Sequence, residues 1–148
     1  MSNPNTILHV DDDPNDVFLI GRAFRKANVS SALEVVNDGE KALAYLSGEA
    51  EYSDRARYPL PSLVLLDLKL PRKPGMEVLA WIRSHPELKR LPVVMLTSSK
   101  QPADINRAYD LGANGFLAKP VDFDEMIAMA QTLDRFWEQM NQRPTLEK

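Results

Sequence analysis

Cysteine is absent from the 148 residues, so neither a disulfide framework nor a thiolate metal site is open to this chain. No apolar run approaches the roughly 18 residues that a membrane span requires. Met1-Ser2-Asn3-Pro4-Asn5 lacks the basic and apolar character of a leader. A cytoplasmic protein with no membrane contact is expected. Excess positive charge is missing too. Eighteen basic residues stand against 21 acidic ones, a net charge of −3, which argues against general nucleic-acid binding. Repeats and low-complexity tracts are also missing. What is present is ordinary: 44% hydrophobic and 26% charged residues, enough for one domain with its own core over about 6–140. On that reading no separate output domain is expected.

Short runs rich in Val, Ile and Leu near 6–11, 32–36, 62–67, 92–97 and 115–118 read as strands buried on both faces, as in a parallel sheet. Helical patterns separate them. Val17, Ile20, Phe24 and Ala27 give a first helix over about 14–27, and Ala42, Leu43 and Leu46 a second over 39–47. Met76, Leu79 and Ile82 mark a third near 75–84, stopped by His85-Pro86. Pro102 opens a fourth that ends at Gly112. Asp122 caps a long fifth helix to about Gln142, with Phe123, Met126, Ile127, Ala130, Leu133, Trp137 and Met140 as its apolar stripe. Five βα units in series predict an α/β fold with a doubly wound parallel sheet. The irregular stretch 47–62 is long for a compact domain, and such loops are usually functional or mobile.

Polar residues end the apolar runs. Asp11-Asp12-Asp13 follow the first, Asp67 the third, Thr97 closes the fourth and Lys119 follows the fifth. In open α/β sheets the ligand crevice lies at those carboxyl ends. Three adjacent carboxylates repel one another unless a cation compensates, and a hard divalent ion with oxygen ligands is the natural one. The set can transfer a phosphoryl group onto a carboxylate. Asp67 is the expected nucleophile, with Mg²⁺ held by Asp12 and Asp67 and by Asp11 through water. Lys119 and Thr97 would then meet phosphoryl oxygens.

The chain resembles the CheY-like receiver domain of two-component response regulators over essentially its whole length. The matching residues are Asp11-Asp12, Leu66-Asp67-Leu68-Lys69-Leu70-Pro71 with Gly75, Thr97-Ser98 and Lys119-Pro120. The resemblance implies a (βα)5 flavodoxin-like fold with strand order 2-1-3-4-5. It implies phosphorylation of Asp67 by a sensor histidine kinase or a phosphotransfer protein. The backbone carbonyl of Lys69 would join the Mg²⁺ ligands. Thr97 would move inward on phosphorylation, followed by the Phe116 ring, where the family often has Tyr. Lys69 and Ser99 would flank the path of the attacking water and set the lifetime of the acyl phosphate. A cis Lys119-Pro120 bond is also implied, against the few per cent that X-Pro alone suggests. The 47–62 stretch and His85-Pro86-Glu87-Leu88 look like the regulators that serve phytochrome-type kinases. Members of that group often dimerise through helix 4, strand 5 and helix 5, and Phe136, Trp137 and Met140 would cover a homodimer partner there.

Simpler readings stand beside these. Asp13 reads as a helix cap, His9 as a packed neutral ring, His85 as exposed and Trp81 as half-exposed. Arg55, Arg57 and Arg72-Lys73 read as solubilising charge. A phosphohydrolase with an Asp nucleophile would carry a second carboxylate two residues on, where this chain has Lys69. A receiver that dimerises without phosphorylation remains the main alternative. A nucleotide-binding protein is remote, since no Gly-rich loop follows the first strand.

Overall fold

The computed structural model describes residues 5–146. Five strands, β1 (Thr6–Val10), β2 (Ala32–Val36), β3 (Leu63–Leu66), β4 (Val93–Thr97) and β5 (Gly115–Ala118), alternate with five helices. These are α1 (Pro14–Lys26), α2 (Gly39–Ser47), α3 (Gly75–Ser84), α4 (Pro102–Asp110) and α5 (Phe123–Leu133). All neighbouring strands pair in parallel, in the order β2-β1-β3-β4-β5. The α/β sheet expected from the alternating patterns is the one observed.

Side chains alternate across each strand, and so two cores form. Leu8, Val10, Val64, Leu66, Val93 and Met95 pack with the buried sides of α2 and α3. Ile7, Leu63, Leu65, Val94 and Leu96 pack with those of α1 and α5. Burial on both faces holds for β1, β3 and β4 but not for the sheet edges. Val35 on β2 is exposed, and β5 is only half-buried. An edge strand lacks a neighbour on one side, so its outer flank meets solvent.

Residues 47–62 are not a loose loop. After a 3₁₀ turn (Ala50–Ser53), Arg55 folds back and donates to the Tyr45, Leu46 and Tyr58 carbonyls at 2.8, 2.9 and 3.1 Å. It thereby satisfies carbonyls at the α2 C-terminus, which no further helical turn can reach. The Tyr45, Tyr52 and Tyr58 rings pack on one another with centroids 5.0–5.8 Å apart. The buried Tyr45 hydroxyl donates to the Pro59 carbonyl at 2.9 Å. Arg55 is therefore a tether rather than a solubilising charge. Arg57 pairs with Glu34 at 3.0 Å and lies over the Tyr58 ring. His85 is half-buried, its Nδ1 3.1 Å from the Trp81 carbonyl and its ring stacked on Trp81.

The long fifth helix is also not uniform. Beyond Leu133 it widens into a π-helical segment, Asp134–Met140. Wider turns change the angular step, so the apolar stripe does not continue in phase. Trp137 packs against the α1/α5 core, whereas Phe136 and Met140 are exposed. Glu138 instead turns under the sheet and accepts from Ser31 and Ser62 hydroxyls at 2.7–2.9 Å. Among the described residues no peptide bond is cis, so the expected cis Lys119-Pro120 bond is trans here.

Candidate functional site

The strand register brings the polar residues level. Val10 pairs with Leu66, so Asp11 and Asp67, each one residue further, emerge side by side at the end of the sheet. Their backbones extend the ladder, the Asp11 N–H donating to Val36 and the Asp67 N–H to Val10, both at 3.1 Å. Thr97 pairs with Ala118, and the Lys119 N–H donates to the Thr97 carbonyl at 2.8 Å. Four apolar runs thus deliver four polar ends to one crevice.

Lys119 is at its centre. Its ammonium lies 2.8 Å from Asp11 Oδ2, 2.8 Å from Asp67 Oδ2 and 2.7 Å from Asp16 Oδ2. Burial alone would push Lys119 down, but hydrogen bonds to Asp11, Asp16 and Asp67 outweigh it and raise the ammonium above its ordinary range. Asp11 is fully buried. That burial pushes its carboxyl up, while the His9 ring, Lys119 and the Asp13 N–H together hold it below the usual carboxylate range. Asp16 was missed in the sequence. It lies in the first turn of α1, one turn beyond Asp12, and that spacing was the available signal. Asp13 does cap α1, accepting from the Asn15 and Asp16 N–H groups.

Asp11, Asp12 and Asp67 each offer a carboxylate oxygen, all within 4.8 Å of one another, with Asp12 exposed. Oxygen donors alone, with one side open to water, suit Mg²⁺, which keeps part of its hydration shell. Lys69 is exposed, and its N–H points at Asp67 Oδ1 from 3.4 Å. Thr97 is buried, and its hydroxyl lies 3.5 Å from the Ser99 N–H. The Ser99 hydroxyl donates to Asp104 in the first turn of α4 at 2.6 Å. Phe116 is half-buried against the α2/α3 core, in register with Met95. Phe136, Trp137 and Met140 stand apart from this crevice, on the π-helical segment.

Gly75 fixes the loop that carries Asp67. A Cβ at Gly75 would stand 2.1 Å from the Asp67 carbonyl oxygen, and the Gly75 N–H donates to Leu68 at 2.9 Å. Gly39 holds the far end of the same loop, where a Cβ would meet the Lys73 carbonyl oxygen at 2.0 Å. Only hydrogen fits at either place.

This sheet order and this crevice are those of a receiver, and comparison with known proteins agrees. Residues 7–131 match the response regulator receiver domain, and the chain belongs to that family. It is 38% identical over 134 residues to the response regulator Rcp1 of Synechocystis, covering 90% of this chain and 89% of that protein. The crystal structure of the phosphorylated cyanobacterial phytochrome response regulator RcpA superposes with a TM-score of 0.88 at 37% identity, covering 97% of this chain and all of that one. RPA3017, a response regulator in red light signalling of R. palustris, gives 0.90 at 33%, covering 95% and 99%. No helix among the described residues is long and apolar enough to cross a membrane.

Proposed function

We propose that the chain accepts a phosphoryl group on Asp67 from a histidine kinase or phosphotransfer protein, and signals through the conformational change that follows. An Asp67 carboxylate oxygen attacks the phosphorus, the bond from phosphorus to the donor imidazole breaks, and the leaving ring takes up a proton from water. Asp12, Asp67 and the Lys69 carbonyl, with Asp11 through water, would hold a magnesium ion, which when bound would supply charge neutralisation for the phosphoryl oxygens. The observation that carries this reading is the Lys119 ammonium shared among Asp11, Asp16 and Asp67. Once Asp67 is converted to the acyl phosphate its oxygen loses its full charge, and the ammonium is released to pair with a phosphoryl oxygen. The Thr97 hydroxyl donates to another. The phenyl ring of Phe116 follows Thr97 inward and alters the face of α4, β5 and α5. Lys69 and Ser99 set how fast water reaches the acyl phosphate.

Similarity to Rcp1, RcpA and RPA3017 supports a phytochrome-type kinase as partner. The Mn²⁺-bound structure of Rcp1, 37% identical to this chain, supports a divalent ion at the acidic trio. One further observation favours a homodimer. An apolar hollow beside β5 is lined by Leu117, Met129, Leu133, Phe136 and Trp137. The test is incubation with Mg²⁺ and acetyl phosphate, followed by intact mass and size, with Asp67→Asn in parallel. One added phosphoryl group that the variant lacks is expected. A dimer that forms equally with and without phosphate, and no adduct despite metal binding, would replace the switch with a phosphorylation-independent adaptor.

A further inference from the structure

His9 stands inside β1, 1% exposed, two residues from Ile7 and from Asp11 and on the same strand face as both. Apolar partners flank it in register, Val35 on β2 and Leu65 on β3. Among the described residues neither ring nitrogen has a hydrogen bond of normal geometry. Nε2 nevertheless lies 3.5 Å from Asp11 Oδ2. A buried imidazole without a partner is unfavourable where an aliphatic side chain would pack freely. The ring is aimed at the acidic crevice from behind. It is not part of the trio whose oxygens come within 4.8 Å of one another, so it backs a ligand rather than being one.

We propose that His9 is a positioning residue for the metal site. Its Nε2–H donates to Asp11 Oδ2 and keeps that carboxylate in place when Lys119 turns away. The second half of this statement rests on the phosphoryl chemistry proposed above. In the present arrangement Asp11 Oδ1 receives the Asp13 N–H at 3.0 Å, while Oδ2 is ion-paired with the Lys119 ammonium at 2.8 Å without a hydrogen bond of normal geometry. Once the ammonium is drawn to a phosphoryl oxygen, Oδ2 has lost its charge partner. Asp11 is 0% exposed, so beyond a water of the metal's own shell no solvent replaces the missing donor. His9 is the remaining one, and a small closure from 3.5 Å completes the bond. Groups behind a metal ligand commonly govern affinity in this way.

The test is binding of Mn²⁺ to the full chain, followed by the EPR signal of the free ion, in wild type, His9→Leu and His9→Gln. His9→Leu is expected to weaken binding about tenfold, the lower end for such outer partners. His9→Gln, whose amide nitrogen reaches a similar position, is expected to restore most of it. Equal or tighter binding by a folded His9→Leu chain overturns the proposal. Binding is read without phosphate, so it stands or falls separately from phosphorylation of Asp67. If His9→Leu does not fold, the imidazole ¹⁵N spectrum of the wild type decides. A ring protonated at Nε2 and bare at Nδ1, shifting when Mg²⁺ is added, supports the role; a ring protonated at Nδ1 refutes it.

Discussion

Replacing Gly75 by alanine tests whether close backbone approach is what holds Asp67 in place. The new Cβ would lie 2.1 Å from the Asp67 carbonyl oxygen and 2.9 Å from both the Asp67 carbonyl carbon and Leu68 Cα. All three are backbone atoms, so no flexible side chain can yield. Relief to an ordinary contact requires the start of α3 and the Asp67 loop to part by about 1 Å, which overpacking data value at about 1–3 kcal/mol. In urea, with a slope of about 2 kcal/mol per molar, the midpoint should fall by about 1 M. The same movement carries Asp67 away from Lys119, whose contact is 2.8 Å. A 1 Å misplacement of a reacting group is worth about a hundredfold in rate. Acetyl phosphate labelling followed by intact mass should therefore slow far more than the loss of stability explains. Gly21→Ala is the control. Its Cβ would meet only the flexible end of Arg25 at 3.7 Å, and it should stabilise α1 by about 0.5–1 kcal/mol. A Gly75→Ala chain with wild-type midpoint and wild-type labelling would show that the loop does not depend on this contact.

Arg55→Ala removes three bonds to carbonyls and should lower stability by about 2–3 kcal/mol, or Tm by about 5–10 °C, while labelling of Asp67 stays unchanged. A smaller shift would mean the tyrosine cluster holds residues 47–62 unaided. Burial, chiefly, pushes the Tyr45 hydroxyl from 10.0 up to about 12. A raised folded pKa contributes stability that is complete below pH 10 and lost as pH rises towards 12, about 3 kcal/mol in all. The stability gap between wild type and Tyr45→Phe should therefore narrow across that window in urea titrations; a gap that is flat with pH would refute the assignment. Lys69→Asn should shorten the life of the acyl phosphate severalfold, followed by decay of the phosphorylated mass. Slower decay in the variant would remove Lys69 as a shield.

The crevice was legible because each of its members follows an apolar run, and parallel register converts equal positions in sequence into equal height in space. Asp11, Asp67, Thr97 and Lys119 needed no knowledge of the helices. Asp16 escaped because an acidic residue in a first helical turn is ordinary, favoured by the helix dipole whether or not it meets a lysine. Residues 47–62 lack periodicity, so the tether from Arg55 to carbonyls at the end of α2 leaves no trace in local pattern. The turn from α to π after Leu133 is equally silent, since either helix accepts the same apolar residues. Its effect was to misplace Met140, expected on the stripe and found exposed.

On the function proposed above, the formal charges at the site account for why a cation and a phosphoryl group would belong to the same event. Asp11, Asp12, Asp16 and Asp67 contribute four negative charges and Lys119 a single positive one, a formal excess of three. A phosphoryl donor approaching that excess is repelled, and the low dielectric around the buried Asp11 makes the repulsion stronger than in water. A divalent ion at the trio would reduce the excess to one, while Lys119 already touches one Asp67 carboxylate oxygen. The ammonium cannot serve Asp11, Asp16, Asp67 and an incoming phosphoryl group equally. Formation of the proposed acyl phosphate at Asp67 would weaken one of its three attachments and add a more highly charged competitor, so the ammonium should follow the phosphate. That transfer would leave Asp11 Oδ2 without its charge partner. The residue behind it in β1 is a histidine where the neighbouring positions Leu8 and Val10 are aliphatic.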